Sequence, residues 1–284
     1  MSAPAAPGAP TVLAIDLGTG GPKVALVSLD GDIVGSEHAR VEPRVGADGS
    51  GVQDPERWWD AVVAGTRALT EAHPDAVARL VAVAVTGQWG STVPVDGQGR
   101  AVGDCMLWMD TRGGELARGS LSGRVNIEGF APRKVLAWVQ RTGGAPSTEG
   151  NDPFGHRLWI EHHEPDVYRR TATFLEPIDY INARLTGVVS ASPVSMLLSW
   201  LCDNRNPADA RYDPLLVKLA GVDPARLPPL RPTSSVVGPV LAALSRDLGL
   251  PEGLPVVTAL PDLHSAALGS GRIGLYEGHL SIST

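Results

Sequence analysis

The stretch Asp16-Leu17-Gly18-Thr19-Gly20-Gly21-Pro22-Lys23 sets a carboxylate, a glycine-rich turn, a hydroxyl and an ammonium between two apolar runs, Val12-Leu13-Ala14-Ile15 and Val24-Ala25-Leu26-Val27. These groups suit a phosphate and its metal. Glycines take positive φ angles and let backbone N–H groups approach an anion, and a lysine adds a point charge for phosphate oxygens. An aspartate at the end of the first strand can hold Mg2+, directly or through water. The same letters also describe a plain Gly-Gly hairpin, with Asp and Lys at the turn edges for geometry alone. A Walker-type phosphate loop is excluded, because no Gly-Lys-Ser/Thr closes the stretch and the residues after Lys23 read as strand, where that loop requires a helix.

The elements around this turn follow from pattern. Strands over 12–16 and 23–29, a tight turn at Asp30-Gly31-Asp32 and a third strand over 33–41 predict an antiparallel meander. Asp54-Pro55-Glu56 supplies a cap, a proline at the first helical position and an acid in the first turn. Trp58, Trp59, Val62, Val63 and Leu69 then recur at helical spacing, so a helix is predicted over 55–73. The nearly continuous Val and Ala of 80–86 predict a strand buried on both faces, ending at Gly87-Gln88-Trp89-Gly90-Ser91. Further strands are expected over 91–95 and 103–109. A mostly helical middle follows, clearest at 158–160 and 176–185, with loops at 142–153 and 203–212. Strands over 236–240 and 256–259 bracket a helix over 240–248. A meander followed by β/α alternation is an α/β pattern. No repeat period stands out.

Composition narrows the function classes. The 284 residues carry 43% hydrophobic and 19% charged side chains, as in globular proteins, and their 33 Gly and 24 Pro imply many loops. A net charge of −7 argues against a general nucleic-acid binder, though an anionic nucleotide can still bind locally. No stretch reaches the length of a membrane span, and residues 1–10 read as a disordered tail with no signal-peptide features. Cys105 and Cys202 lie far apart without metal-ligand spacing, which points to core packing and a reducing cytoplasm.

Taken together, the first turn, the Gly87–Ser91 strand end, Trp108-x-Asp110-x-Arg112 and Asp179-Tyr180-x-x-x-x-Leu185-Thr186-Gly187 make the chain resemble the FGGY family of carbohydrate kinases, with xylulokinase-like members nearest. The resemblance covers 11–284. It implies an actin-like, ribonuclease H-like fold of two lobes with ATP in the cleft between them, and small-molecule sugar and ATP as partners, with a homodimer admissible. Residues 11–250 would form the first lobe and 251–284 the start of the second. On the same resemblance Asp16, Gly18, Thr19, Gly20 and Lys23 belong to a phosphate motif, with Asp16 near Mg2+, and Gln88, Trp89, Asp110 and Arg112 line the sugar side. Asp262, in Leu260-Pro261-Asp262-Leu263-His264-Ser265-Ala266-Ala267, matches the catalytic base and substrate contact. In phosphoryl transfer the enzyme positions reactants and neutralises spreading charge, while an Asp accepts the proton of the attacking hydroxyl. Locally, Asp262 also reads as the cap of a helix beginning at Leu263, a role compatible with catalysis.

Other residues carry plainer readings. Trp89 and Trp108 serve equally as core aromatics or as faces for sugar C–H groups, and Arg112 as a salt-bridge partner of Asp110. Glu161-His162-His163-Glu164 suggests a metal site, but adjacent helical residues diverge, so a solvated face is expected. Gly269-Ser270-Gly271-Arg272-Ile273-Gly274 spells a dinucleotide pattern but follows a helix, which excludes it. The sequence departs from the family at Trp89-Gly90, where xylulokinases usually carry Met-His, at Ser190-Ala191 in place of Thr-Asp, and at Pro261 in place of Gly. Leu280-Ser281-Ile282-Ser283-Thr284 alternates like a strand and predicts a chain interrupted early in its second lobe, binding ATP poorly. Two other readings stand beside a sugar kinase: a non-catalytic sugar- or nucleotide-binding homologue, and an actin-like ATPase, against which the Trp/Asp/Arg segment argues.

Overall fold

A computed structural model describes residues 8–127, 129–271, 274 and 277–280. Most of the expected tail and the strand-like ending over 281–284 lie outside the described residues.

The meander forms as the sequence predicts. β1 (Thr11–Gly18), β2 (Gly21–Ser28) and β3 (Ile33–His38) pair antiparallel, and Thr19-Gly20 makes the two-residue turn between the first two. β1 alternates by two: Leu13, Ile15 and Leu17 are fully buried, while Val12, Ala14 and Asp16 on the other face are half-buried. After β4 (Arg44–Val45) and β5 (Gly51–Gln53), Asp54 caps α1 (Pro55–Ala72) by accepting a 2.9 Å bond from the Glu56 N–H. Trp58, Val62, Thr66 and Leu69, spaced by three and four, turn inward and pack α1 on β2 and β3. α2 (Pro74–Val77) then leads into β6 (Leu80–Gly87), which lies parallel to β1.

The middle of the chain is helical, with its own core. β7 (Val93–Val95) and β8 (Cys105–Met106) precede α3 (Gly114–Leu121), α4 (Pro132–Thr142), α5 (Pro153–His163) and α6 (Pro165–Arg170). Then come β9 (Thr173–Leu175), paired with β7, and α7 (Pro177–Thr186), which packs against β6. Leu121, Trp138, Phe154, Leu201 and Leu216 form a second cluster away from the main sheet. The strand expected over 103–109 shortens to Cys105–Met106, because the Asp110 N–H bonds back to the Leu107 carbonyl and turns the chain. The stretch 203–212, expected as loop, is bracketed by β10 (Cys202–Asp203) and β11 (Arg211–Tyr212), strands too short to leave a periodic signal.

α8 (Pro214–Leu219), β12 (Val236–Pro239), α9 (Ala242–Leu248), β13 (Pro255–Val257), β14 (Leu260–Pro261) and α10 (Asp262–Gly269) complete the described elements. The seven-stranded sheet runs β12-β13-β6-β1-β2-β3, with β14 also beside β6. Residues 251–284, expected to begin a second lobe, thus contribute β13 and β14 to the same sheet as the meander. Among the described residues no helix is long and apolar enough to cross a membrane.

Candidate active site at the strand ends

β1, β6 and β14 run in the same direction, and their register sets Asp16 beside Thr86, Thr86 beside Leu260, and Gly87 beside Pro261. Their carboxyl ends therefore deliver three predicted site segments to one edge of the sheet: the turn after β1, Gln88-Trp89 after β6, and Asp262 after β14. Crevices at such strand ends are where open α/β sheets bind ligands. Two glycines make the convergence possible. At Gly87, with φ +155°, a Cβ would stand 2.5 Å from the Leu17 carbonyl oxygen, and at Gly21, with φ +125°, 2.1 Å from that of Ala39. No side chain fits at either position.

Asp16 and Lys23 are direct cross-strand partners, joined by a 3.2 Å ion pair whose side chains remain 39% and 59% exposed. Both charged groups thus stay within reach of a ligand. Asp262 opens α10 as its first residue, and its Oδ1 accepts a 2.7 Å bond from the Leu263 N–H. The helix begins one residue earlier than expected, so Asp262 lies inside it and Pro261 takes the cap position. Partial burial holds the Asp262 carboxyl above the usual carboxylate range, against the Leu263 bond, and the negative charge of Asp16 pushes it further up. α10 is pinned to β6 by a 2.8 Å bond between the Thr86 and Ser265 hydroxyls.

Trp89 is half-buried; its indole N–H donates to the Ser195 carbonyl at 2.9 Å, and its ring meets His264 edge-on at 5.3 Å. His264 has no partner for its buried Nδ1, and burial lowers its pKa, which favours the neutral ring. Trp108, 46% exposed, donates its indole N–H to the Thr19 hydroxyl at 3.2 Å, so it borders the turn.

Two of the residues expected on the sugar side are buried. Gln88 is 2% exposed, its Oε1 accepting from the Thr19 hydroxyl and its Nε2 donating to Gln53 Oε1, both at 3.3 Å. It lies beneath the turn, bonded to Thr19 and Gln53. Asp110 has no exposed surface: its carboxylate accepts from the Gly51 N–H, the Arg112 N–H and the Arg112 guanidinium. The Arg112 guanidinium lies 3.8 Å over the Trp159 ring. Arg112 lines a separate surface depression with Arg44, Asp104 and Glu164. The plain salt-bridge reading of this pair is the one the geometry favours.

Three participants carried no local signature. Gln53 donates both amide protons, at 2.7 Å each, to the Thr19 and Val41 carbonyls and so clamps the turn. Glu176 is buried under the loop after Trp89 and accepts from the Ser91 N–H at 3.1 Å. Asp179, recognised only as part of a motif, is buried with its Oδ2 unpartnered, and burial pushes its carboxyl up to about 8. Among the described residues no cluster of three or more His, Cys, Asp or Glu could hold a metal, and His163 of the suspected metal segment stacks on Trp159.

Residues 11–269 match the N-terminal domain of the FGGY family of carbohydrate kinases. The chain belongs to this family. Among FGGY relatives, the xylulose kinase of Streptomyces rubiginosus is 30% identical over 266 residues, spanning 92% of this chain and 50% of the relative. That of Escherichia coli (strain K12) is 25% identical over 283 residues, 96% of this chain and 52% of its own. The crystal structure of xylulose kinase from Rhodospirillum rubrum superposes with a TM-score of 0.81 at 28% identity, covering 93% of this chain and 51% of that one. The chain therefore spans about half the length of the FGGY relatives it matches. Its sheet, a three-stranded meander with parallel strands added beside β1, is the actin-like, ribonuclease H-like arrangement shared with sugar kinases of known structure.

Proposed function

We propose that the chain carries the acceptor-side catalytic groups of an ATP-dependent sugar kinase, which transfers the γ-phosphate to a hydroxyl of xylulose or a related ketose or polyol. The observation that carries this reading is the placement of Asp16 and Asp262 at the carboxyl ends of β1 and β14, the two strands that pair with the end of β6.

Asp262 is the base. A raised pKa makes its carboxylate a better proton acceptor for an attacking hydroxyl than an ordinary aspartate, and its exposure leaves room for that hydroxyl. The backbone of Gly18, Thr19 and Gly20 and the Lys23 ammonium sit where the transferred phosphoryl group would gather negative charge. Asp16 is the residue to hold Mg2+. Such ions take one or two carboxylates together with substrate phosphates and water, and a partly exposed Asp16 fits that mode better than an all-protein cage. When bound, the ion would offset charge on the phosphates. Trp89 and Trp108 offer aromatic surface to the sugar, while Gln88, Asp110 and Arg112 hold the walls. Two free, buried cysteines suit a reducing cytoplasm.

ADP release measured across pentoses, hexoses and polyols tests the proposal. Turnover stimulated by a ketopentose or polyol supports it. ATP hydrolysis indifferent to every sugar would replace it with the ATPase reading, and ligand-induced thermal shifts without product with the binding-protein reading.

A further inference from the structure

We propose that the Thr19 hydroxyl is a positioning group that ties the phosphate turn to the Trp108 indole. The inference rests on the kinase reading of the site and assigns a task within it.

Hydrogen-bond polarity through the buried chain can be followed from one end. Gln53 Nε2 lies 2.7 Å from two backbone carbonyl oxygens, those of Thr19 and Val41, so this must be its NH2 and both protons are used. Its other end is then the oxygen that faces Gln88, which obliges Gln88 to present its own NH2 there, at 3.3 Å. Gln88 consequently turns Oε1 toward Thr19, and the Thr19 hydroxyl gives its single proton to it. The remaining neighbour, the Trp108 indole N–H, can only donate, and it donates to the Thr19 oxygen. In this arrangement the Thr19 hydroxyl donates to Gln88 and accepts from Trp108. The turn can meet phosphate through its backbone, as Lys23 can through its ammonium.

The circuit closes on itself. Gln53 grips the Thr19 carbonyl while Gln88 grips the hydroxyl, so both ends of one turn residue are fixed from beneath, and the exposed indole is fixed to the same atom. A sugar resting on Trp108 would therefore press on the element that carries the phosphate backbone contacts.

The test uses the chain with 15N-labelled tryptophan. Trp108→Phe identifies the Trp108 indole N–H signal by its loss, and the Trp58 and Trp138 signals report that each variant is folded. Thr19→Val is expected to shift the Trp108 signal and speed its exchange with water about two- to tenfold, the loss of one ordinary hydrogen bond, and Thr19→Ser to restore both. An unmoved signal in folded Thr19→Val overturns the proposal. This measurement needs no turnover, so it stands or falls apart from the kinase reading. Where turnover is measured, Thr19→Val and Trp108→Phe remove the same bond, so the double variant should be no slower than the worse single one. A rise in KM for ATP in Thr19→Val with Trp108→Phe silent would overturn the tie to Trp108 as the task of this hydroxyl.

Discussion

Asp262 and Asp110 are both aspartates near the end of a short strand, each close to a cationic or imidazole side chain, and their surroundings diverge completely. Asp110 is sealed: no surface is exposed, both oxygens accept from backbone and guanidinium donors, and Trp159 covers the guanidinium. Asp262 accepts a bond from the Leu263 N–H, stands exposed and feels the negative charge of Asp16. Chemistry needs unspent bonding capacity, whereas stability needs it spent. The contrast separates the exposed residues at the strand ends from the closed corner around Asp110, although both were expected to touch sugar.

Substitution at the two positions should give opposite signatures. Asp262→Ala is expected to lower kcat about 10²- to 10⁴-fold, the usual worth of a positioned base, while the urea midpoint moves by no more than about 0.5 kcal/mol of stability. Unaltered turnover would remove Asp262 from the mechanism. Asp110→Ala should do the reverse, costing about 3–5 kcal/mol of stability because it strands a largely buried guanidinium. A variant of native stability but weak sugar binding would return Asp110 to the sugar site.

A third carboxylate lies between these extremes. Asp179 is buried like Asp110 yet has an unpartnered oxygen, and its carboxyl is pushed up to about 8 by burial. From about pH 4 upward the unfolded chain releases this proton while the folded chain keeps it, so the contribution of this group to stability falls as pH rises toward about 8. Asp179→Asn, which imitates the protonated form, should flatten that decline in urea titrations compared at mildly acidic and mildly basic pH. An unchanged slope would mean that Asp179 finds a partner when ionised. The smallest effect is expected at Lys23→Met. Its ion pair with Asp16 is partly solvated, so stability should change by less than about 1 kcal/mol, and the consequence should be seen in KM for ATP.

Legibility in the sequence followed locality. The hairpin, α1 and the parallel β6 were readable because a Gly-Gly turn, an Asp-Pro-Glu start and a Val/Ala run act through near neighbours. The sealing of Asp110 was not, since it depends on Gly51 and on Trp159 of α5. Gln53 gave no sign, because a glutamine before a helix cap looks like any solvated residue until its two carbonyl partners are placed. Gln88 was found by resemblance as a sugar contact, and only packing showed that both ends of its amide are engaged. β10 and β11, two residues each, exist by pairing alone.

β14 has a consequence for the order of folding. This two-residue strand carries Asp262 and is seated by pairing with the end of β6, from which it is separated by the whole helical middle of the chain. Closing so long a loop is slower than forming the β1–β2 hairpin, whose partners adjoin in sequence. A chain early in folding would hold the turn after β1 without Asp262 in place, and the two would reach the same sheet edge only after the intervening helices had docked. The proposed base would thus take its place late, with the completion of the sheet.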